Sequence, residues 1–232
     1  MKFKKKIANI KNWLNVVRKK QYIVIHYSSG SIDTDENNGE YFGREVTYTS
    51  ANYFVDDDSY TVSVPPDKVA YHCGKDYSGG KAPYWGKCTN YNSIGIEMCG
   101  IANDKILDMR NPTIKNTVEL TRKLMKKYMI SARHVVRHYD VCGKNCPAPF
   151  VKHQLAWEAF KLNILGGFKV KTTKAGVKLR NKLGSGTILK TFKKGKKIKI
   201  AQVYYDNGKL YGKTNKGNFI LLKNTNYKKK IS

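Results

Sequence analysis

Residues 22–26 read YIVIH, an apolar run that ends on a histidine. Three consecutive aliphatic β-branched side chains, Ile23, Val24 and Ile25, leave no solvent-facing position. That is the pattern of a strand buried on both faces, which places helices around the sheet it belongs to. Residues 52–55 and 61–64 read as strand material around an acidic turn, and Ser93–Met98 (SIGIEM) as another strand. After these runs lie helical patterns. Residues 113–129 repeat Ile114, Val118, Leu124, Met125 and Tyr128 near helical spacing, with Thr113 as the expected N-cap and lysines in the last turn. Residues 149–162 present Leu155 and Phe160 in a second helix. Strands mixed with helices predict an α/β domain.

The histidine of YIVIH gains meaning from RHYDVCGKNCP at 137–147, which sets His138 eight residues ahead of Cys146 with Lys144 between them. Two imidazoles and a thiolate make a three-ligand zinc set whose fourth position is left to water, the arrangement of a hydrolytic zinc rather than a structural one. His134 and His138 also form an HxxxH pair. Val135 and Val136 between them favour an extended chain, in which the two would stand ~13 Å apart, so at most one binds and His138 is chosen. Cys142 sits in the turn DVCGK, where a small side chain suffices. In SIGIEM, Glu97 lies opposite the aliphatic Ile94, Ile96 and Met98, which makes it the candidate general base. Lys144 is placed by the ligand loop to steady an oxyanion. His72, in AYHCG, is expected to line the substrate groove.

Composition bounds the rest. The 232 residues hold 41% hydrophobic side chains, enough for one large domain or a medium domain plus a small one. No apolar run approaches the ~20 residues of a membrane span. The basic N-terminus has Lys11, Asn12 and Asn15 where a secretion signal needs an apolar core, so no cleaved leader is expected. The five cysteines, an odd number, are then read as thiols in a reducing compartment. The formal charge of +27 is uneven: residues 1–165 carry 25 Lys+Arg against 16 Asp+Glu, and residues 166–232 carry 19 against one, Asp206. The short C-terminal part should therefore concentrate at a polyanionic surface through a salt-screened attraction. Past the pair Gly166 and Gly167 the helical pattern gives way to short β runs between Gly, Asn and Lys turns. This predicts a division into residues 1–165 and 166–232, the second a small all-β barrel.

Taken together, YIVIHYSS, SANYFVDD, AYHCG, NSIGIEMCG and RHYDVCGKNCPAP stand in the order seen in type-2 zinc N-acetylmuramoyl-L-alanine amidases, a superfamily that includes bacteriophage lysozymes and peptidoglycan recognition proteins. The resemblance covers about 22–160. It implies a mixed central sheet flanked by helices, a peptidoglycan groove, and zinc on His26, His138 and Cys146, with Glu97 and Lys144 in the catalytic positions. One branch of the superfamily uses a tyrosine near 52–54, where Asn52 or Tyr53 falls; the base role is assigned to Glu97 instead. VKLRNKLGSG, ILKTFKKGKKIKI and LYGKTNKGNFI resemble a bacterial SH3-like wall-binding domain. The combination is similar to a phage or prophage endolysin, held in the host cytoplasm until the membrane is breached, with peptidoglycan and anionic wall polymers as partners. Two rivals belong to other classes. A non-catalytic peptidoglycan receptor is disfavoured by Cys146, because receptor-type relatives lose the thiol. A nucleic-acid binder is suggested by Tyr204, Tyr205, Tyr211 and Phe219 among the lysines, and is set aside.

Overall fold

A computed structural model describes residues 1–30, 32–103 and 105–231. Two compact units result, one of residues 1–105 with 111–152, the other of residues 106–110 with 153–232.

The first unit contains, in chain order, β1 (Lys2–Lys5), β2 (Trp13–Leu14), β3 (Tyr22–Tyr27), α1 (Asp35–Arg44), β4 (Tyr53–Val55), β5 (Ser59–Val62), β6 (Val69–Ala70), β7 (Ser93–Met98), α2 (Pro112–Tyr128), β8 (Val135–Arg137), α3 (His138–Cys142) and α4 (Ala148–Lys152). Six of the strands form one sheet in the order β1-β5-β4-β7-β3-β8, while β2 pairs separately with β6. Only β4 and β5 run antiparallel within the large sheet, so it is mixed. Ile23, Val24 and Ile25 are fully buried, as the unbroken aliphatic run requires. Helix α1 starts where the Thr34 hydroxyl accepts from Asn37 N–H at 3.1 Å, with Asp35 and Glu36 in its positive first turn. Its Phe42 stacks on Phe54 of β4, 5.3 Å between ring centres. Helix α2 is capped by Asn111, whose side chain accepts from Ile114 N–H, with Pro112 at the first helical position and Met129 closing it in the left-handed region at φ 55°. The expected cap, Thr113, is instead inside the helix.

The second unit opens with α5 (Gln154–Ile164), followed by β9 (Phe168–Lys171), β10 (Val177–Arg180), β11 (Ile188–Phe192), β12 (Lys197–Ile200), β13 (Gln202–Asp206), β14 (Lys209–Lys213) and β15 (Phe219–Leu221). Five strands pair in the order β11-β10-β15-β14-β13, and β9 pairs with β12. The single helix read over 149–162 is two helices, because His153 at φ −116° and ψ 79° breaks the helical path. The second of them packs with the β-rich unit: Ala159 and Leu162 share a core with Val170, Ile200, Val203, Ile220 and Leu222.

Polar side chains finish the exposed edge of β13. Asn163 accepts from Val203 N–H at 2.9 Å and donates to its carbonyl at 2.8 Å. Asp108 accepts from Tyr205 N–H at 2.9 Å, and Arg110 donates to the Tyr205 carbonyl at 2.9 Å. An unpaired strand edge is costly and adhesive. Here α5 and the short segment 106–110 occupy the place of a further strand, which is why both belong to this unit. Among the described residues no helix is long and apolar enough to cross a membrane.

Candidate active site

Parallel register decides which side chains of the first unit share a face. His26 on β3 stands beside Glu97 on β7, and Val24 beside Gly95. On the next strand Phe54 aligns with Glu97, whereas Tyr53 aligns with Ile96 and lies on the opposite face. Tyr53 is therefore removed from the histidine side of the sheet. His26 and Glu97 lie near the carboxyl ends of their strands, where open sheets with parallel strands place ligands.

The loop after β8 brings the other two donors to the same place. Arg137 closes the start of α3 through an ion pair with Asp140 at 2.7 Å and donates to the Phe150 carbonyl at 2.9 Å. Tyr139 N–H bonds the Cys146 carbonyl at 2.8 Å, folding the loop so that both of its ends face β3. Gly143 turns the chain at φ 81°, and a β-carbon there would lie 2.7 Å from the Ser78 side chain, so no other residue fits.

The result is a cluster. One donor atom from each of His26, His138 and Cys146 lies within 4.8 Å of the others. The three residues are 2%, 5% and 4% exposed. His26 Nδ1 is 3.8 Å from Cys146 Sγ and 3.9 Å from Glu97 Oε1. Neither ring nitrogen of His138 has a hydrogen-bond partner among the described residues, although both are buried, and the same holds for Glu97 Oε2. Leaving buried polar atoms unpaired costs about 1–3 kcal/mol each. A tetrahedral ion accepting two imidazoles and a sulfur would take up one of the two His138 nitrogens and remove the cost there, so the donor set fits zinc.

Electrostatics support the same fit. Burial drives the His26 pKa well below its ordinary value, helped by the neighbouring His138 and His72, and takes His138 down to about 3. Both rings are thus neutral lone-pair donors at neutral pH, and the His26 contact with Glu97 is not an ion pair. Burial pushes the Cys146 thiol up, with the Glu97 charge adding to it. A divalent cation between them supplies the positive charge that a thiolate needs. Glu97, 22% exposed, is raised by burial to about 7, with the Lys144 ammonium opposing the shift and Asp33 adding to it.

Lys144 is solvent-exposed on the ligand loop and lines, with His72, His138, Tyr48, Tyr71 and Tyr77, a cleft of about 410 Å³ beside the cluster. His72 forms part of that wall and also touches a metal-ligand candidate directly: its Nδ1 is 3.0 Å from His26 Nε2, while its Nε2 is 3.1 Å from Ser93 Oγ. His134 lies away from the cluster, its ring 4.8 Å from that of Tyr22. Cys142 bonds the His138 carbonyl through its thiol at 3.6 Å. All five cysteines are free and buried. Sequence reading missed Ser93, Asn90 and Gly95 as supports of His72, since a serine and a glycine within a strand and an asparagine just before it carry no signal of the ring they will hold.

The family described as N-acetylmuramoyl-L-alanine amidase (Amidase_2) matches residues 17–149. Among curated proteins, the N-acetylmuramoyl-L-alanine amidase CwlL of Bacillus licheniformis is 32% identical over 188 residues, which are 78% of this chain and 51% of that one. The chain spans about half the length of the curated relatives it matches first, at 51% of each. Among solved structures, PlyL aligns over 71% of this chain and 97% of its own with a TM-score of 0.58 and 25% identity. A mutant endolysin from Bacillus subtilis aligns over 70% and 98% with a TM-score of 0.55 and 25% identity.

Proposed function

Because the chain belongs to the N-acetylmuramoyl-L-alanine amidase family (Amidase_2), we propose that it hydrolyses the amide bond between N-acetylmuramic acid and L-alanine in bacterial peptidoglycan. The observation that carries this reading is the convergence of His26, His138 and Cys146, buried, beside an unpaired carboxylate oxygen of Glu97. The three donors would hold zinc. When bound there, zinc polarises the scissile carbonyl and lowers the pKa of the attacking water.

The chain's own groups do the remainder. Glu97, with one carboxylate oxygen unpaired among the described residues, accepts the proton of the attacking water and returns it to the leaving amine of alanine. Lys144, whose charge is felt at Glu97, His26 and His138, faces the oxygen that becomes negative as the carbonyl is attacked. The cleft, with Tyr48, Tyr71 and His72 in its wall, receives the glycan and stem peptide.

Residues 166–232 are assigned as an SH3-like module that binds anionic wall polymer. It presents a groove of about 260 Å³ lined by Lys178, Arg180, Lys182 and Lys209 around Tyr211 and Phe219, with no carboxylate in the lining. In this reading the protein is an endolysin, made inside the host and acting on the wall once the membrane is breached.

The experiment is to count zinc per chain and to follow the clearing of a cell-wall suspension, with the products examined for new alanine amino groups and new reducing sugar ends. One zinc per chain, clearing abolished by a chelator, and new alanine amino groups without new reducing ends are expected. Zinc-free protein that still clears walls would overturn the mechanism; zinc binding with wall binding but no cleavage would identify a receptor instead.

A further inference from the structure

We infer that His72 and Ser93 are positioning residues that fix the tautomer and the orientation of His26, so that Nδ1 is the atom His26 offers to the metal. The inference rests on the zinc reading above, and one chain of contacts fixes the order of its protons.

The count starts at an atom with no choice. The Thr89 backbone carbonyl can only accept, and Ser93 Oγ lies 2.5 Å from it, so the single hydroxyl proton of Ser93 is committed there. Ser93 Oγ must then accept from whatever else approaches. His72 Nε2 does so at 3.1 Å, which puts the proton of His72 on Nε2. The Cys73 thiol, 3.8 Å from the same oxygen, can serve as a second donor without disturbing this order. A neutral imidazole carries one N–H, and a hydrogen bond between two ring nitrogens needs a lone pair on one of them. His72 Nδ1 therefore holds a lone pair, and His26 Nε2, 3.0 Å away, must donate to it. With its only proton on Nε2, His26 turns a lone pair on Nδ1 toward Cys146 Sγ and Glu97 Oε1. A carbonyl three links away thereby sets which nitrogen faces the metal.

The geometry leaves His72 little freedom to break this chain. The Asn90 side-chain oxygen accepts from the backbone N–H of His72 at 3.0 Å and of Cys73 at 2.8 Å, anchoring the chain on both sides of the ring. The ring itself lies on Gly95 of β7: a β-carbon there would be 2.8 Å from His72 Cγ. The His26 and His72 rings meet edge to face, 5.1 Å apart at 85°. Glycine in the middle of a strand has a reason here, since it makes room for the ring that orients the ligand.

The test uses the full chain with ¹⁵N-labelled histidine at pH 8. In the zinc-free protein His26 is expected to be protonated at Nε2, and on adding zinc the resonance of Nδ1 should be the one that moves. Ser93→Ala should turn His26 into a mixture of tautomers, while Ser93→Thr, which keeps the hydroxyl, should restore the single form. In competition with a chelator, His72→Ala is expected to weaken zinc binding by about 10- to 100-fold. His26 found protonated at Nδ1 in the unaltered protein overturns the inference, as does zinc affinity of a folded His72→Ala chain within twofold of the original. The tautomer of the unaltered chain decides the matter even where a variant fails to fold. If that chain takes up no zinc, the metal reading falls, while the proton order is still decided by the spectrum.

Discussion

The two units use titratable residues in opposite ways. In the first, His26, Glu97, His138 and Cys146 come from three separated stretches of sequence into one enclosed cluster, and burial moves the pKa of every one of them. In the second, the lysines and arginines of residues 166–232 outnumber the acids 19 to one, yet none of those cations is buried. Enclosed groups interact strongly at short range and become a site. Exposed groups retain their hydration, and what they share is a field that salt can screen. The same contrast separates a chemistry that depends on single atoms from an attraction that depends on a total.

The largest break in that contrast comes from a ligand. His138→Ala or Cys146→Ser is expected to abolish both stoichiometric zinc and clearing activity while wall binding by the intact chain persists, as read by metal analysis and a pull-down on purified walls. Glu97→Gln should be next: zinc stays at one per chain, while kcat falls by about 10²–10⁴. Full turnover in that variant would remove Glu97 from the proton transfer.

The second unit should respond through packing and through salt. Ile200 is fully buried in its core, so Ile200→Ala is expected to cost about 2–5 kcal/mol. A denaturant titration followed through the second unit should show the loss, and zinc content should be unchanged. Lys178→Glu with Lys182→Glu should weaken wall binding several-fold at low salt, the difference shrinking as salt rises. A difference unaltered by salt would mean that contact, not field, holds the polymer.

The smallest effect concerns a lysine that does not behave like those of the second unit. Lys20, 3% exposed, donates to the Lys68 carbonyl at 2.7 Å, and burial lowers its pKa to about 8. Below pH 8 folded and unfolded chains both hold this proton. Between pH 8 and about 10.4, the ordinary lysine value, the folded chain releases it first, so stability should rise with pH across that window. Comparing thermal unfolding of Lys20→Met with the original chain at pH 8 and pH 10 isolates the term, and equal slopes would disprove it.

Much of the site could be read from residue order alone. The zinc candidates stand in a recognisable order, and alternation in SIGIEM sets Glu97 against the aliphatic face. What escaped was a choice among partners that residue type alone does not make. The cap of α2 was expected at Thr113 and is at Asn111, because both can cap and only the helix start chooses. One helix is expected over 149–162 and two are present, 148–152 and 154–164, since an amphipathic pattern shows that a face will be covered but not that His153 will break the path.

The amino-acid sequence by itself determined the aliphatic strand at 22–26, the charge concentrated after 166 and the supply of two imidazoles, one thiol and one carboxylate, because these follow from side-chain type and local period. Only the tertiary structure decided that β3 and β7 pair in the register that sets His26 beside Glu97, that segment 106–110 and the helix 154–164 complete the edge of a remote strand, and that Thr89, through Ser93 and His72, orients His26. Those outcomes depend on hydrogen bonds and burial between residues far apart in the chain, whose geometry exists only once the chain has folded.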